Sequence, residues 1–339
     1  MKKYIIGGIA VLLIGAGGIV GYYTLNDISP EQETTITLAT FNLEKLSEND
    51  PFQIQNAVKI IRQFDVVAIQ EVMNSGNGVS GPNAVKMIED SLGSEWESII
   101  SDEANGTASA ASSGALHTFE YYAYLWNTDR IALIPGSDFL WDEEENPDPD
   151  LTDQERQFDR EPYIASFRSI DGNLDFTIIS IHAAAPSKSY RKDEIKRLQR
   201  VFDTIQASDP DQNDIYLCGD FNTPVNKTEW DNLKSIMSMD HILTEGNKTT
   251  IRKQTGELSS NQYDTFWFQK SASEEDIVLN SGQVLDAWNI DMTLDPDKTP
   301  PETVIDADNI RRWHYSRVVS DHLPIIIVLR TNSDTDHFH

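Results

Sequence analysis

Three short strings in this chain carry side chains suited to a phosphate ester: Gln70-Glu71, Gly219-Asp220-Phe221-Asn222 and Ser320-Asp321-His322. Each stands at the end or the start of a β-branched apolar run. Together they offer carboxylates, an amide and an imidazole, the parts of a metal-dependent phosphoester-cleaving site. Asp220 and Asn222 are two residues apart, so an extended backbone projects both to one face, where they can meet one metal and one phosphate. Glu71 closes a buried strand, where a carboxylate is costly unless it is paired or metal-bound. His182 ends a further apolar run. Carboxylate and amide donors without cysteine suit Mg²⁺ or Mn²⁺ better than Zn²⁺. Singly, each string has a plainer reading: a capped turn, the start of a loop, a satisfied core histidine. Their joint occurrence is what carries weight.

The elements that must position these residues read as one α/β domain over 34–330. Strands are expected over 35–41, 65–69, 96–100, 121–126, 130–134, 163–167, 174–181, 215–218, 265–268 and 318–329. Helices are expected over 54–64, 85–92 and 188–205 from the spacing of their apolar residues. Loops are expected over 74–83, 104–114 and 142–159, and a polar tail over 331–339. No repeat and no break in composition marks a second domain. Residues 1–25 form a separate segment, joined by a polar linker over 26–33. Lys2 and Lys3 precede an uncharged stretch over 5–23, close to the ~20 residues that span a bilayer. No A-x-A cleavage pattern follows it, so an uncleaved anchor with the domain outside the membrane is expected. Its glycines (Gly7, Gly8, Gly15, Gly17, Gly18, Gly21) leave a cleaved signal as the alternative.

The formal charge is −28. Such a surface repels polyanions at long range, so a nucleic acid would need local basic patches and bound cations. The plain reading is that the acidity keeps the protein soluble. Cys218 is the single cysteine, in an apolar run; no intrachain disulfide can form, and a buried, inert thiol is expected. Lys188, Arg191, Lys192, Lys196, Arg197 and Arg200 follow His182, and Arg311, Arg312 and Arg317 precede Asp321. They fit a phosphate track or a solvated helix face. Tyr190, Trp313 and Tyr315 fit base stacking or core packing. The acidic run from Asp142, with Asp148 and Asp150 behind it, fits a flexible Ca²⁺ loop or a solvated one. Asn105, Asn226 and Asn247 head glycosylation sequons.

Taken in order, Thr40-Phe41-Asn42-Leu43, Ala68-Ile69-Gln70-Glu71-Val72, Ile181-His182, Gly219-Asp220-Phe221-Asn222, Tyr263-Asp264 and Ser320-Asp321-His322-Leu323-Pro324 resemble the endonuclease/exonuclease/phosphatase superfamily. The resemblance runs over 35–329. Phe158-Asp159-Arg160-Glu161-Pro162, His182-Ala183-Ala184-Ala185-Pro186-Ser187 and Glu120 add a similarity to its deoxyribonuclease-I branch. It implies a four-layer α/β sandwich, two packed mixed β-sheets flanked by helices. It also implies roles. Asn42, Glu71, Asp220, Asn222 and Asp321 would surround Mg²⁺ (or Mn²⁺) and the scissile phosphate. His182 would pair with Glu120 as the acid, and His322 with Asp264 as the base. Arg160 would bind phosphate, and Glu161 would belong to a structural Ca²⁺ site with Asp142, Asp148 and Asp150. The chain departs from the branch at Met73, where an arginine contacts DNA, and at Thr118, where a tyrosine enters the minor groove; Phe119 or His117 could stand in for the latter. The branch's disulfide is absent.

The expected activity is metal-dependent phosphodiester hydrolysis outside the cytoplasm, on DNA first and RNA second. A lipid or sugar-phosphate phosphodiesterase or phosphatase is the alternative, and an exposed apolar hairpin would favour it; residues 138–141 are the faint candidate. A non-catalytic binding module would have lost a carboxylate or histidine, and none is lost. The membrane is an expected contact through the N-terminal segment, and no feature points to a protein partner.

Overall fold

The computed structural model describes residues 34–74, 80–104, 119–142, 158–184, 188–208 and 214–332. The anchor expected over 1–25 and the linker over 26–33 lie outside them. Among the described residues no helix is long and apolar enough to cross a membrane. Along the chain run β1 (Thr35–Leu46), α1 (Pro51–Ile61), β2 (Val66–Met73), α2 (Ser80–Leu92), β3 (Trp96–Ile100), β4 (Glu120–Asn127), β5 (Ile131–Leu133), β6 (Phe139–Leu140), β7 (Tyr163–Ser169) and β8 (Asp175–His182). There follow α3 (Lys188–Ser208), β9 (Ile215–Asp220), α4 (Asp231–Ile236), β10 (Met239–His241), β11 (Asp264–Gln269), α5 (Lys270–Ser273), β12 (Gln283–Val284), α6 (Ala307–Val318) and β13 (Ile325–Arg330).

The strands form two mixed sheets. One has the order β12-β13-β1-β2-β4-β3; the other has the order β10-β11-β9-β8-β7-β5, with β6 also on β7. The inner faces pack on each other through Ile36, Leu38, Tyr124, Phe167, Phe176 and Ile327. Helices α1, α2 and α6 cover the outer face of the first sheet, burying Ile54, Ile88 and Tyr315 against Phe41 and Ile69. Helices α3 and α4 cover the second, burying Leu198, Phe202 and Leu233 against Ile179 and Leu217. This is the expected four-layer sandwich. Cys218 is fully buried in the inter-sheet layer, and burial pushes its thiol up to about 12, which fits the inert reading.

Strand parity decides what faces the inter-sheet layer. Ile36 and Leu38 face inward, so Thr40 and Asn42 follow. The same alternation turns Gln70 inward after Val66 and Ala68, and Glu120 inward with Tyr122 and Tyr124. In the second sheet it turns Ser180 and His182 inward after Phe176 and Ile178, Asp220 inward after Tyr216 and Cys218, and Asp264 inward with Phe266 and Phe268. The layer thus grades along one direction from apolar to hydroxyl and amide to charged. Gln70 Nε2 donates to Ser180 Oγ at 2.9 Å between the sheets, and Tyr124 OH donates to the Tyr163 and Ile178 carbonyls. These bonds satisfy buried polar groups where the apolar layer ends.

Several boundaries differ from the sequence expectation. The strand expected over 318–329 starts only at Ile325, because α6 runs to Val318. That helix was hidden by Arg311, Arg312, His314 and Arg317, which dilute its apolar spacing, although Asp306 caps it by accepting from the Asn309 amide. Helix α2 starts at Ser80 rather than 85; Pro82 is tolerated in a first turn, and Gly81 lets the backbone lie directly on Met73. Residues 138–141 are no projecting hairpin, since β6 pairs with β7 and Trp141 is buried. The short β10, α4, α5 and β12 carried no periodicity to read.

Gly219 is required by this packing. Its φ is +132°, and a Cβ there would lie 1.9 Å from the Ile181 carbonyl oxygen. Gly219→Ala should cost roughly 2–5 kcal/mol. Gly246→Ala, at φ +91° with open space around it, should cost only about 1 kcal/mol. Urea unfolding of both variants checks this; equal losses would refute the close-approach explanation.

Candidate active site

The charged end of the inter-sheet layer is built by register. In the second sheet His182 pairs with Asp220 and Asp220 with Asp264 on adjacent strands, so three inward-facing groups stand at one level. In the first, Asn42 pairs with Gln70 and Met73 with Glu120. By parity Glu71 would point away from the second sheet. Instead its φ is +59°, and the ladders of β2 shift register on either side of it, which returns its carboxylate to the site. Glu44, Lys45 and Asn222 also hold positive φ; such strain persists only where its surroundings fix it. Here the Asn42 carboxamide oxygen accepts from the Glu44 amide at 2.9 Å, Glu71 accepts from the Lys45 amide at 3.0 Å, and Asp220 from the Asn222 amide at 2.9 Å.

At the centre, the Asn42 side-chain nitrogen donates to Glu71 Oε1 at 3.0 Å and to Asp220 Oδ2 at 3.1 Å. Two carboxylates from different sheets therefore meet on one amide. Each of two histidines is tied back at Nδ1: His182 to Glu120 at 2.7 Å, and His322 to both oxygens of Asp264 at 3.0 Å. Both Nε2 atoms face the centre, each 3.6 Å from the same oxygen of Asp220. Asp321, with Oδ1 3.9 Å from His322 Nε2, borders the same space. The Ser320-Asp321-His322 turn is held by Ser320 Oγ on the Asn42 carbonyl at 2.7 Å and by Tyr315 OH on the His322 carbonyl at 3.0 Å.

Electrostatics follow from this burial. Desolvation alone would lower both imidazoles, but Glu120 raises His182, and Asp264 with Asp220 holds His322 well above 6.5. Burial also pushes Asp264 up to about 6 against the pull of His322. Of these opposed tendencies in one pair, the retained imidazole proton is the direction the geometry supports, since Asp264, Asp220 and Asp321 all face that ring.

The donor set fits a divalent cation. Glu71 and Asp220 meet on one neutral amide with the two imidazoles facing them, and a cation would further offset the negative charge gathered there. Glu71 and Asp220 supply oxygen donors of the kind a hard ion takes; Asn42 turns its side-chain nitrogen to both and its oxygen to the Glu44 amide, and Asp321 borders the space at His322. Asp264 also lies with Asp220 and His322 within metal-ligand spacing. Its oxygens are already used by His322 Nδ1 and by Thr249 Oγ1 at 2.6 Å, so it serves the imidazole.

All ten residues expected at the centre are thus brought together: Asn42, Glu71, Glu120, Arg160, His182, Asp220, Asn222, Asp264, Asp321 and His322. Two are engaged in ways the sequence did not show. Arg160 is buried, with Nη2 on Glu120 Oε1 at 2.9 Å, and Nη1 on the His182 carbonyl at 3.2 Å and near Asp159 at 3.5 Å. It braces the histidine pair and does not open a free fork toward a phosphate. Asn222 gives its side-chain nitrogen to the Ala183 carbonyl at 2.9 Å. Trp313 and Tyr315 are core residues and do not stack on bases. Arg317 lies over Trp313 and donates to the Lys253 carbonyl, Arg312 lies over Trp288, and Arg197 over Phe158; these cations are structural. Asp148 and Asp150 of the expected Ca²⁺ loop lie outside the described residues, as do His117 and Thr118 and the side chains of Lys188 and Tyr190. Asp142 is exposed and Glu161 partly buried.

Thr249, Glu44 and Lys253 were missed. In the sequence Thr249 is the third residue of the Asn247 sequon and carries no other mark. Glu44 accepts from the Asp321 amide at 3.2 Å and pairs with Lys253; burial, then the nearby Asp321, raises it to about 7. Its place two residues after Asn42 was the one available signal.

The Endonuclease/Exonuclease/phosphatase family model matches residues 39–322, a span that holds every one of these groups. The chain belongs to this family. Among its relatives, a deoxyribonuclease from Thioalkalivibrio sp. (strain K90mix) is 26% identical over 303 residues, 88% of this chain and 72% of that protein. A solved endonuclease/exonuclease/phosphatase family protein from Bacteroides thetaiotaomicron superposes with a TM-score of 0.57 at 16% identity, covering 89% of this chain and all of that one. A mannosyl-6-phosphatase of Bacteroides thetaiotaomicron VPI-5482 gives 0.57 at 15%, covering 87% and 99%. The two structures share the fold with this family member.

Because the folded state raises His322 above 6.5, the stability it contributes is fully present below that value and lost as the pH rises through the raised one. In protein stripped of divalent ions, the unfolding midpoint should fall as pH rises above 6.5, and Asp264→Asn should flatten that fall. Parallel curves for the two proteins would contradict the pairing.

Proposed function

We propose that this chain is a metal-dependent phosphodiesterase that cleaves DNA internally, with RNA as a secondary substrate. One observation carries the reading: two carboxylate-backed imidazoles present Nε2 at equal distance to one oxygen of Asp220. Phosphodiester hydrolysis needs a base for the attacking water and an acid for the leaving oxygen, and a facing pair supplies both. With Nδ1–H donated to a carboxylate, each ring turns the lone pair or proton of Nε2 toward the centre. The assignment of base to His322 and acid to His182 follows the family resemblance; the Nε2 distances to Asp220 are equal, and the proton that Asp264 and Asp220 hold on His322 must leave before that ring can act as base. Asn42 donates at the centre, and Asp220 fixes the spacing of the rings. Mg²⁺, or Mn²⁺, held by Glu71 and Asp220 with Asp321, would offset the charge that develops on the phosphate; Asn42, a ligand by the family resemblance, would have to turn its oxygen from the Glu44 amide to join them.

The similarity to a named deoxyribonuclease over most of both chains supports DNA as the substrate. Likeness to a mannosyl-6-phosphatase supports the second reading, a sugar-phosphate phosphatase. Placement outside the cytoplasm, with residues 1–25 as anchor or cleaved signal, and a structural Ca²⁺ near residues 142–161 rest on the sequence and belong to the proposal.

Supercoiled plasmid incubated with the full chain and Mg²⁺ should be nicked, and chelator should stop it. His182→Ala and His322→Ala should each reduce nicking by about 10³-fold or more while keeping the far-ultraviolet circular dichroism of the parent. Undiminished nicking by either variant would overturn the mechanism. Phosphate release from mannose 6-phosphate with intact plasmid would replace the reading with the phosphatase one.

A further inference from the structure

Glu194 lies on α3, outside the reacting centre, and is fully buried. A buried carboxylate is costly unless its oxygens are satisfied. Its two oxygens are each used by a backbone amide. Oε1 accepts from Asp159 N and Oε2 from Ala184 N, both at 2.8 Å. These amides belong to different strand-flanking segments. Asp159 precedes Arg160, on the approach to β7; Ala184 stands two residues past His182, at the end of β8.

The same two segments meet again on a second carboxylate. Arg160 Nη2 holds Glu120 Oε1 at 2.9 Å, and His182 Nδ1 holds Glu120 Oε2 at 2.7 Å. The contacts close into a ring that runs from Glu194 through Ala184 and His182 to Glu120, and back through Arg160 and Asp159. Arg191, also on α3, donates to the Ala184 carbonyl at 3.2 Å, so the helix holds both polar backbone groups of that residue. Asn222 holds the Ala183 carbonyl. The segment behind His182 is therefore fixed by side chains from two directions.

We infer that Glu194 is a positioning residue for catalysis: by clasping the Asp159 and Ala184 amides it sets Arg160 and His182 at the spacing at which both engage Glu120, and so fixes the direction of His182 Nε2. The inference rests on the proposed part of His182 in phosphodiester cleavage. Burial raises the Glu194 carboxyl to about 7, against the lowering pull of the two amides. A group kept at that cost is consistent with a role that two oxygen acceptors alone can fill. Glutamine offers one acceptor, and its amide group would face the second N–H with a donor.

The test uses the full chain with Mg²⁺, plasmid nicking, and the proton resonance of His182 Nδ1–H, assigned by its loss in His182→Ala. Glu194→Ala should lower kcat by about 10- to 100-fold with KM within threefold, and should broaden or remove that resonance. Leu198→Ala, a cavity in the same helix away from the ring, controls for lost stability and should keep both. Glu194→Gln should behave like the alanine variant, and decides the matter if Glu194→Ala does not fold. Parental kcat together with a parental resonance in Glu194→Gln would overturn the inference. Should the parent fail to cleave plasmid, the functional reading falls, while the resonance still decides whether Glu194 positions His182.

Discussion

The structure depends on where its buried carboxylates find partners. Asn42 joins Glu71 of one sheet to Asp220 of the other through a single amide, at the end of the inter-sheet layer where β1, β2, β8 and β9 run out. Everything nearby serves to make that concentration of charge tolerable. Glu120 has Arg160 and His182; Asp264 has His322 and Thr249; Glu44 has Lys253 and the Asp321 amide. A low-dielectric interior strengthens each of these pairs and penalises any group left out. The apolar part of the layer supplies that low dielectric, so the packing of the sheets and the chemistry of the site are one arrangement.

Backbone strain is placed to the same end. Of six non-glycine residues with positive φ among the described residues, Glu44, Lys45, Glu71 and Asn222 lie at the site. Without the turn at Glu71, strand parity would send its carboxylate to the outer face. Without the turn at Asn222, its amide could not reach Asp220 Oδ1 at 2.9 Å. Each costs on the order of 1–3 kcal/mol, which the sandwich core must offset. The strain is legible as function only because the hydrogen bonds that hold it are made by the site residues themselves.

Much of this was readable in the sequence. Leu38, Thr40 and Asn42, or Phe176, Ile178, Ser180 and His182, show in their alternation which groups share a face, and the strands ending at 69, 181 and 218 put their polar termini at one sheet end. What alternation cannot show is the partner across space. Arg160 and Asn222 read as free phosphate ligands because their ties to Glu120 and Ala183 cross many residues. Thr249, Lys253 and Glu194 sit in stretches whose local pattern is that of a loop or an ordinary helix. Trp313 and Tyr315 stayed open between base stacking and core packing because α6, rich in arginine, did not show its buried side.

The arginines also bear on how an acidic protein could take a polyanion. Arg160, Arg197, Arg312 and Arg317 are committed to carboxylates, carbonyls and aromatic faces, which removes them from any phosphate track. With a net charge of −28, long-range attraction does not bring a nucleic acid to this surface. For the proposed nuclease, binding energy would then be concentrated at the reacting phosphate, in the cation that Glu71 and Asp220 fit and in the donors around it. A site of that kind would recognise a phosphate diester more than the sequence or helical form that carries it, because the donors that remain free to bind stand at the reacting centre and not along a track.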